Sequence, residues 1–392
     1  MSYYEYHTTR RYVQYDGAFD ELARYIAYSG RRPLILMGAG PMNDELQRRI
    51  ADGAAKPFRP SMRTELIQES GRYASNIAVA ERLDAEGDTV HPEFMDINDL
   101  FATEKNARMI AGKLAAGGFD TVVGVGGGRA LDLARAATRF FKVSVILAPT
   151  LAATNASIST LSVIYGDDGR RIEAYWRMEN APDLVIVDTG VIVRNQPAVL
   201  AAGIGDIMST YMEAISNVTK AGTRKKYSAL GYEGVKLAIR VMMEAAPGAM
   251  DAVRRSVITP DFETVVSMIM NNCGPLWSIC SMGLAHLIDE IMLYFEESHM
   301  TPHGKRVGWA TKAMLIDMDA PEEDIKRYLD FCRAAGIPTT LEELSLDKYD
   351  RDAWLEAAMH SVVDSGRINS LVYPINVERI VDVILESEKL AL

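Results

Sequence analysis

Residues 121–132 read Thr121-Val-Val-Gly-Val-Gly-Gly-Gly-Arg-Ala-Leu-Asp132. Thr121–Val125 is a short apolar run of the kind that makes a buried strand. Three glycines follow at once, Gly126, Gly127 and Gly128, and a helical pattern begins with Arg129, Ala130, Leu131 and Asp132. Glycine lacks Cβ, so backbone N–H groups there can approach a ligand closely. The following helix N-terminus adds roughly half a positive charge. Together they suit a pyrophosphate, with Arg129 placed for a charged contact. Three glycines alone suit a tight strand-to-helix turn equally well, because the spacing is not G-x-G-x-x-G.

Working outward, the first half repeats this strand-then-helix texture. Leu34–Met37 runs into Gly38-Ala39-Gly40, Val143–Leu147 into Pro149-Thr150, and Leu184–Val187 is a fourth apolar run. Ala130–Phe141 carries a helical stripe of Leu131, Ala134 and Ala137. Strands alternating with helices predict a parallel sheet covered on both faces, with ligands at the C-terminal strand ends. Residues 57–98 are polar and show no strand signal before about Asp88–His91, which predicts a helical or irregular surface insertion. Past Arg194 the strand signal stops. Helical periodicity runs through Ala198–Asn217, Lys225–Glu244, Asp261–Cys273, Leu276–Phe295 and Gly308–Ile316. The expectation is an α/β dinucleotide-binding domain over residues 1–193 and an all-α domain over residues 194–392.

Bulk properties narrow the partners. The 392 residues exceed one ordinary core, and 48% hydrophobic with 24% charged residues is usual for a globular chain. A net charge of −11 argues against nucleic acid. Cys273, Cys280 and Cys332 form no C-x-x-C pair and read as small buried hydrophobes in a reducing compartment. Neither a signal-peptide pattern nor a run of 18 apolar residues is evident, so the expectation is a cytoplasmic protein without a membrane partner.

The helical half holds a second set of chemically suitable residues. Of six histidines, His286 sits in the apolar stretch Leu284-Ala-His-Leu-Ile-Asp-Glu290, and His303 in Thr301-Pro-His-Gly-Lys-Arg-Val307. Alone, each reads as a core or helix-start residue satisfied by a hydrogen bond. Asp206, in Ala201-Ala-Gly-Ile-Gly-Asp206, changes the balance. A buried unpaired carboxylate costs several kcal/mol and requires a cation. One divalent metal shared by Asp206, His286 and His303 would satisfy all three and keep a coordination position open for catalysis. Asp289 and Glu290 read as solvated helix residues or as acceptors for the His286 ring, and His299 competes as a ligand.

With these motifs in view, the sequence resembles the glycerol dehydrogenase-like branch of the iron-containing alcohol dehydrogenase superfamily. The likeness is carried by Gly126–Asp132, by Ala148-Pro-Thr through Leu161-Ser-Val-Ile-Tyr165, by Ala201–Asp206, and by His286 with His303-Gly304. It implies the two-domain fold shared with dehydroquinate synthase, with metal on Asp206, His286 and His303, zinc favoured over iron. It also implies NAD, with NADP second, held at Gly128–Asp132, at Thr150, Leu151, Ala152 and Ala153, and at Ser159, Leu161 and Tyr165. The implied activity is metal-dependent hydride transfer between NAD(P) and a small polyol or related alcohol, by a homo-oligomer. Two departures stand out. Asn155 replaces the aspartate that contacts substrate in glycerol dehydrogenases, and a carboxamide cannot act as a charged acceptor. Gly38-Ala39-Gly40 lacks the acidic residue that holds the adenosine ribose. The first departure makes a 2-hydroxy acid or 2-oxo acid oxidoreductase the alternative. A glycerol-1-phosphate dehydrogenase, a dehydroquinate synthase-like cyclase and a non-catalytic cofactor-binding homologue rank lower.

Overall fold

β-Rich apolar runs bounded by turn residues do become strands. In the computed structural model, residues 8–55, 90–167, 169, 172–224, 227–271 and 276–390 are described. They divide into a sheet unit, Thr9–Thr150 with Ser159–Val191, and a helical unit, Leu151–Ile158 with Ile192–Leu392. A single cut near residue 193 misses one detail: the eight residues after Thr150 belong with the helices.

The sheet unit contains β1 (Arg11–Tyr15), α1 (Leu22–Ile26), β2 (Pro33–Gly38), α2 (Asn43–Ala54), β3 (Glu93–Asp96), α3 (Glu104–Gly117), β4 (Thr121–Gly126), α4 (Gly128–Ala137), β5 (Ser144–Pro149), the pair β6 (Leu161–Tyr165) and β7 (Ile172–Arg177), and β8 (Leu184–Asp188). Six of these strands form one sheet in the order β1-β8-β5-β4-β2-β3, and every pairing in it is parallel. The four central strands are the four apolar runs read from sequence. They are buried on both faces, as a covered parallel sheet requires. The edge strands β1 and β3 carry mixed polar residues and lack that signal. β6 and β7 form a separate antiparallel ribbon. Residues 57–89 of the expected insertion lie outside the described residues; its last part is no insertion, because Glu93–Asp96 pairs with β2 as an edge strand of the sheet.

The helical unit follows with a short α5 (Thr189–Ile192) leading in, then α6 (Pro197–Lys220), α7 (Ala229–Arg255), α8 (Pro260–Met270), α9 (Leu284–Met292), α10 (His303–Asp317), α11 (Glu322–Ala335), α12 (Arg351–Ala358) and α13 (Val377–Glu388). Its core gathers Trp309, Trp354, Leu287, Ile291 and Ile384. Among the described residues one helix, α6, is long and apolar enough to cross a membrane, and 78% of that apolar window is buried inside the protein. The expected helix over Leu276–Phe295 is shorter, because the extended Gly283 holds the chain out of helix until Leu284. Helix 130–141 stops at Ala137, where Thr138 turns back to bond the Arg135 carbonyl. Helix α10 starts five residues before Gly308, directly after extended Pro302. Cys280 is only half-buried and Cys332 is buried; both are free thiols.

Candidate functional site

Three glycines bring the helical unit's polar residues together. A Cβ on Gly205 would lie 2.1 Å from the Gly304 carbonyl oxygen, and one on Gly304 would lie 1.8 Å from the Ala202 carbonyl oxygen. A Cβ on Gly308 would meet Ile337 at 2.7 Å. Helices α6 and α10 therefore cross at backbone contact, which only glycine permits. Thr311 and Ser209 hydroxyls, 2.8 Å apart, close the same seam. His303, the first residue of α10, is thereby set beside Asp206 in the middle of α6.

Asp206 Oδ1 lies 3.6 Å from His286 Nε2 and 3.8 Å from His303 Nε2. One ligand atom from each of the three residues falls within 4.8 Å of the others. The second oxygen, Oδ2, accepts the Asn155 backbone N–H at 3.2 Å. Asp206 is 4% exposed. Burial pushes its carboxyl up, but the His286 bond, both imidazole charges and the Asn155 N–H together pull it below the usual range. Burial pulls His286 down, yet Glu213 and Asp206 on either side raise it well above an ordinary histidine. The His303 side chain is 46% exposed, so the cluster has one open side.

Each imidazole is held from behind. His286 Nδ1 lies 2.7 Å from Glu213 Oε2, and His303 Nδ1 lies 2.8 Å from Asp289 Oδ2. Arg306 Nε donates to Asp289 Oδ1 at 2.6 Å and fixes it further through the Ser298 and Thr301 carbonyls. Burial pushes Asp289 up, but His303 and Arg306 bring it down to about 2. Both Nε2 atoms consequently face Asp206. Two imidazoles with Nδ1 tied to buried carboxylates and Nε2 turned to a third carboxylate is the donor set of a divalent metal with one position open.

Asp289 supports His303, not His286, because helix α9 turns it toward α10. Glu290 pairs with Arg367 at 3.2 Å. His299 is exposed in the turn Glu296–Met300 and is not part of the three-residue cluster. Glu213, the true support of His286, went unread. It lies seven residues after Asp206 on the same face of α6, and the buried-carboxylate argument applies to it equally.

In the sheet unit the glycine turn has two halves. Gly126 has φ 149°, and a Cβ there would lie 2.5 Å from the Gly38 carbonyl oxygen. Gly38 and Gly124 likewise exclude a Cβ, because Ala130 packs directly on them. These glycines serve helix-on-strand packing, as the geometric reading had it. Gly128 differs: a Cβ there would meet nothing within 4 Å, so open space lies before the N-terminus of α4. Gly127 caps that helix without a side chain, and Arg129 is exposed beside it, its guanidinium over Phe101. Ala130 and Leu131 point into the core. Asp132 turns inward and pairs with buried Arg135 at 2.9 Å. Burial raises Asp132 to about 7 despite that partner. Arg135 also donates to the Leu161 carbonyl at 2.5 Å, tying α4 to β6. Thr150 donates its N–H to the Gly126 carbonyl, Ser159 Oγ accepts the Leu161 N–H, and Tyr165 bonds the Ala102 carbonyl through its N–H. Leu151, Ala152, Ala153 and Asn155 lie in the helical unit, where the Ala152 carbonyl presses against Gly203 of α6.

Residues 66–189 match the family model described as iron-containing alcohol dehydrogenase. A glycerol dehydrogenase of Pseudomonas putida is 30% identical over 278 residues, covering 70% of this chain and 75% of that one. A glycolaldehyde reductase of Halobacterium salinarum is 30% identical over 263 residues, 66% of this chain and 72% of its own. A probable glycerol dehydrogenase from Sinorhizobium meliloti 1021 superposes with a TM-score of 0.82 at 25% identity, over 100% of this chain and 99% of that one. The chain belongs to the iron-containing alcohol dehydrogenase family, in its glycerol dehydrogenase-like branch. It is an alcohol dehydrogenase-type oxidoreductase acting on CH–OH groups.

Proposed function

We propose that the protein transfers hydride between NAD(P) and a small polyol or related alcohol, using one divalent metal held by Asp206, His286 and His303. The observation that carries this is the convergence of those three donors, both imidazoles braced by buried carboxylates and Asp206 by the Asn155 N–H. Two imidazoles and one carboxylate suit Zn²⁺ in a site with one open position. The metal would act as a Lewis acid toward the substrate hydroxyl, lowering its pKa. Asp206 holds its position through the Asn155 N–H, while Glu213 and Asp289, each facing an Nδ1, would leave both Nε2 atoms to the metal. The dinucleotide would lie at Gly126, Gly127, Gly128 and Arg129, beside the open space at Gly128, with Thr150, Ser159, Leu161 and Tyr165 of the same unit as further contacts. The same reading carries a cytoplasmic homo-oligomer, with NAD ahead of NADP.

Asn155 favours a second reading. Its carboxamide belongs to the residue that steadies Asp206, and it brings no negative charge there. A substrate bearing its own carboxylate, a 2-hydroxy acid, would meet less repulsion than beside an aspartate. Absorbance change with NAD and with NADP across polyols, 2-hydroxy acids and aldehydes tests both readings, with metal content measured on the same sample. Turnover of polyols supports the first and of hydroxy acids the second; no turnover of either class contradicts both.

A further inference from the structure

Glu213 is 1% exposed and faces the start of α9. Its Oε1 accepts the backbone N–H of His286 at 2.8 Å, and its Oε2 lies 2.7 Å from Nδ1 of the same residue. Gly283, the N-cap of α9, has no side chain to satisfy the helix's first N–H groups. A Cβ on Gly283 would lie 2.8 Å from Glu213 Cγ, so the glycine makes room for a cap supplied by another helix. One turn along α6, Asn217 Nδ2 donates to the Ser281 carbonyl at 3.2 Å and to its hydroxyl at 2.9 Å. A single face of α6 thus presents Asp206, Glu213 and Asn217 to the segment that carries His286.

An ionised carboxylate only accepts hydrogen bonds. The backbone N–H on Oε1 is a fixed donor, so Oε2 requires the ring proton on Nδ1. We propose that Glu213 is a positioning residue for the metal centre: it sets the His286 tautomer and caps the helix that carries that histidine with the same carboxylate. This rests on the reading of Asp206, His286 and His303 as metal ligands.

Glu213→Gln separates the two roles. The amide keeps the shape and one acceptor, which preserves the cap. Its Nε2 then donates toward Nδ1 and drives the ring proton onto Nε2, the atom that must bind metal. Zn²⁺ is titrated against a competing chelator into the full-length, metal-stripped chain. The expected result is affinity about 10–100-fold below wild type, with the metal-free protein still unfolding in one cooperative transition. Equal affinity in variant and wild type would overturn the positioning role and leave the metal centre standing. An affinity loss matched by a collapse of the metal-free midpoint would mark a cap alone, and would overturn it too. A wild type that takes up no Zn²⁺ would sink the metal centre itself. If the variant does not fold, ¹⁵N spectra of histidine rings in Zn²⁺-loaded wild type decide: His286 should carry its proton on Nδ1, and a proton on Nε2 overturns the proposal.

Discussion

The glycine turn at Gly126–Gly128 and the cluster of Asp206, His286 and His303 solve opposite problems. The turn works by removing side chains: Gly126 allows helix and strand to touch, and Gly128 leaves open space at the start of α4. The cluster works by adding buried charge, three carboxylates and a guanidinium around two imidazoles. A site made of backbone tolerates changes of charge but not of volume. A site made of buried ions tolerates neither, because each charge is compensated by a particular neighbour.

That difference sets the scale of the expected effects. The largest fall on the cluster. Asp206→Ala, His286→Ala and His303→Ala should each lower turnover by about 10³-fold or more, since a Lewis acid supplies several kcal/mol to the reacting oxygen. Far-ultraviolet circular dichroism should remain that of the wild type, and steady-state kinetics in excess Zn²⁺ gives the comparison. A loss under tenfold would erase the distinction between the two regions.

Next comes the charge buried inside the glycine-turn unit itself. Arg135→Ala strands Asp132 in the core and should cost about 3–5 kcal/mol in urea unfolding. A cost below about 1 kcal/mol would show that the pair does not hold α4 to β6. Smaller effects separate the glycines. Gly126→Ala should destabilise by about 1–3 kcal/mol, because its backbone is in a region that L-residues avoid and its Cβ meets the Gly38 carbonyl. Gly128→Ala should leave stability within about 1 kcal/mol of wild type yet weaken dinucleotide binding about tenfold, roughly 1.4 kcal/mol. Equal stability losses at the two positions would break the assignment of packing to one and ligand space to the other.

The smallest effect is the pH dependence of the metal-free protein. His286 is raised in the folded state, so its charge adds stability that is complete below the unfolded value of about 6.5 and is lost as pH rises through the folded value. The unfolding midpoint of metal-stripped protein should therefore fall across alkaline pH more than that of protein loaded with Zn²⁺. Parallel curves would contradict that.

The central strands were legible because burial on both faces leaves an unmistakable apolar run, as in Val122–Val125 and Leu184–Val187. Edge strand Arg11–Tyr15 was not, since none of its residues is fully buried and polar ones interrupt the apolar ones. Asp206 announced itself as a charge in apolar surroundings between glycines. What those glycines do was hidden: Gly205 and Gly304 are 99 positions apart by number, and no local pattern shows that they touch. The same distance hid Glu213 behind His286, because an acceptor 73 residues away is invisible to helical periodicity. Asp289, three residues beyond His286, read as a solvated residue or as an acceptor for that ring; it is buried and faces His303 instead.

The most direct test is to strip the wild-type chain of metal and add Zn²⁺ back in small steps, following reduction of NAD by the best alcohol of the panel. Activity should begin near zero and rise linearly to a break at one equivalent per chain, and the triple variant lacking Asp206, His286 and His303 should stay flat throughout. Undiminished turnover by the stripped protein, or by that variant, would contradict the account.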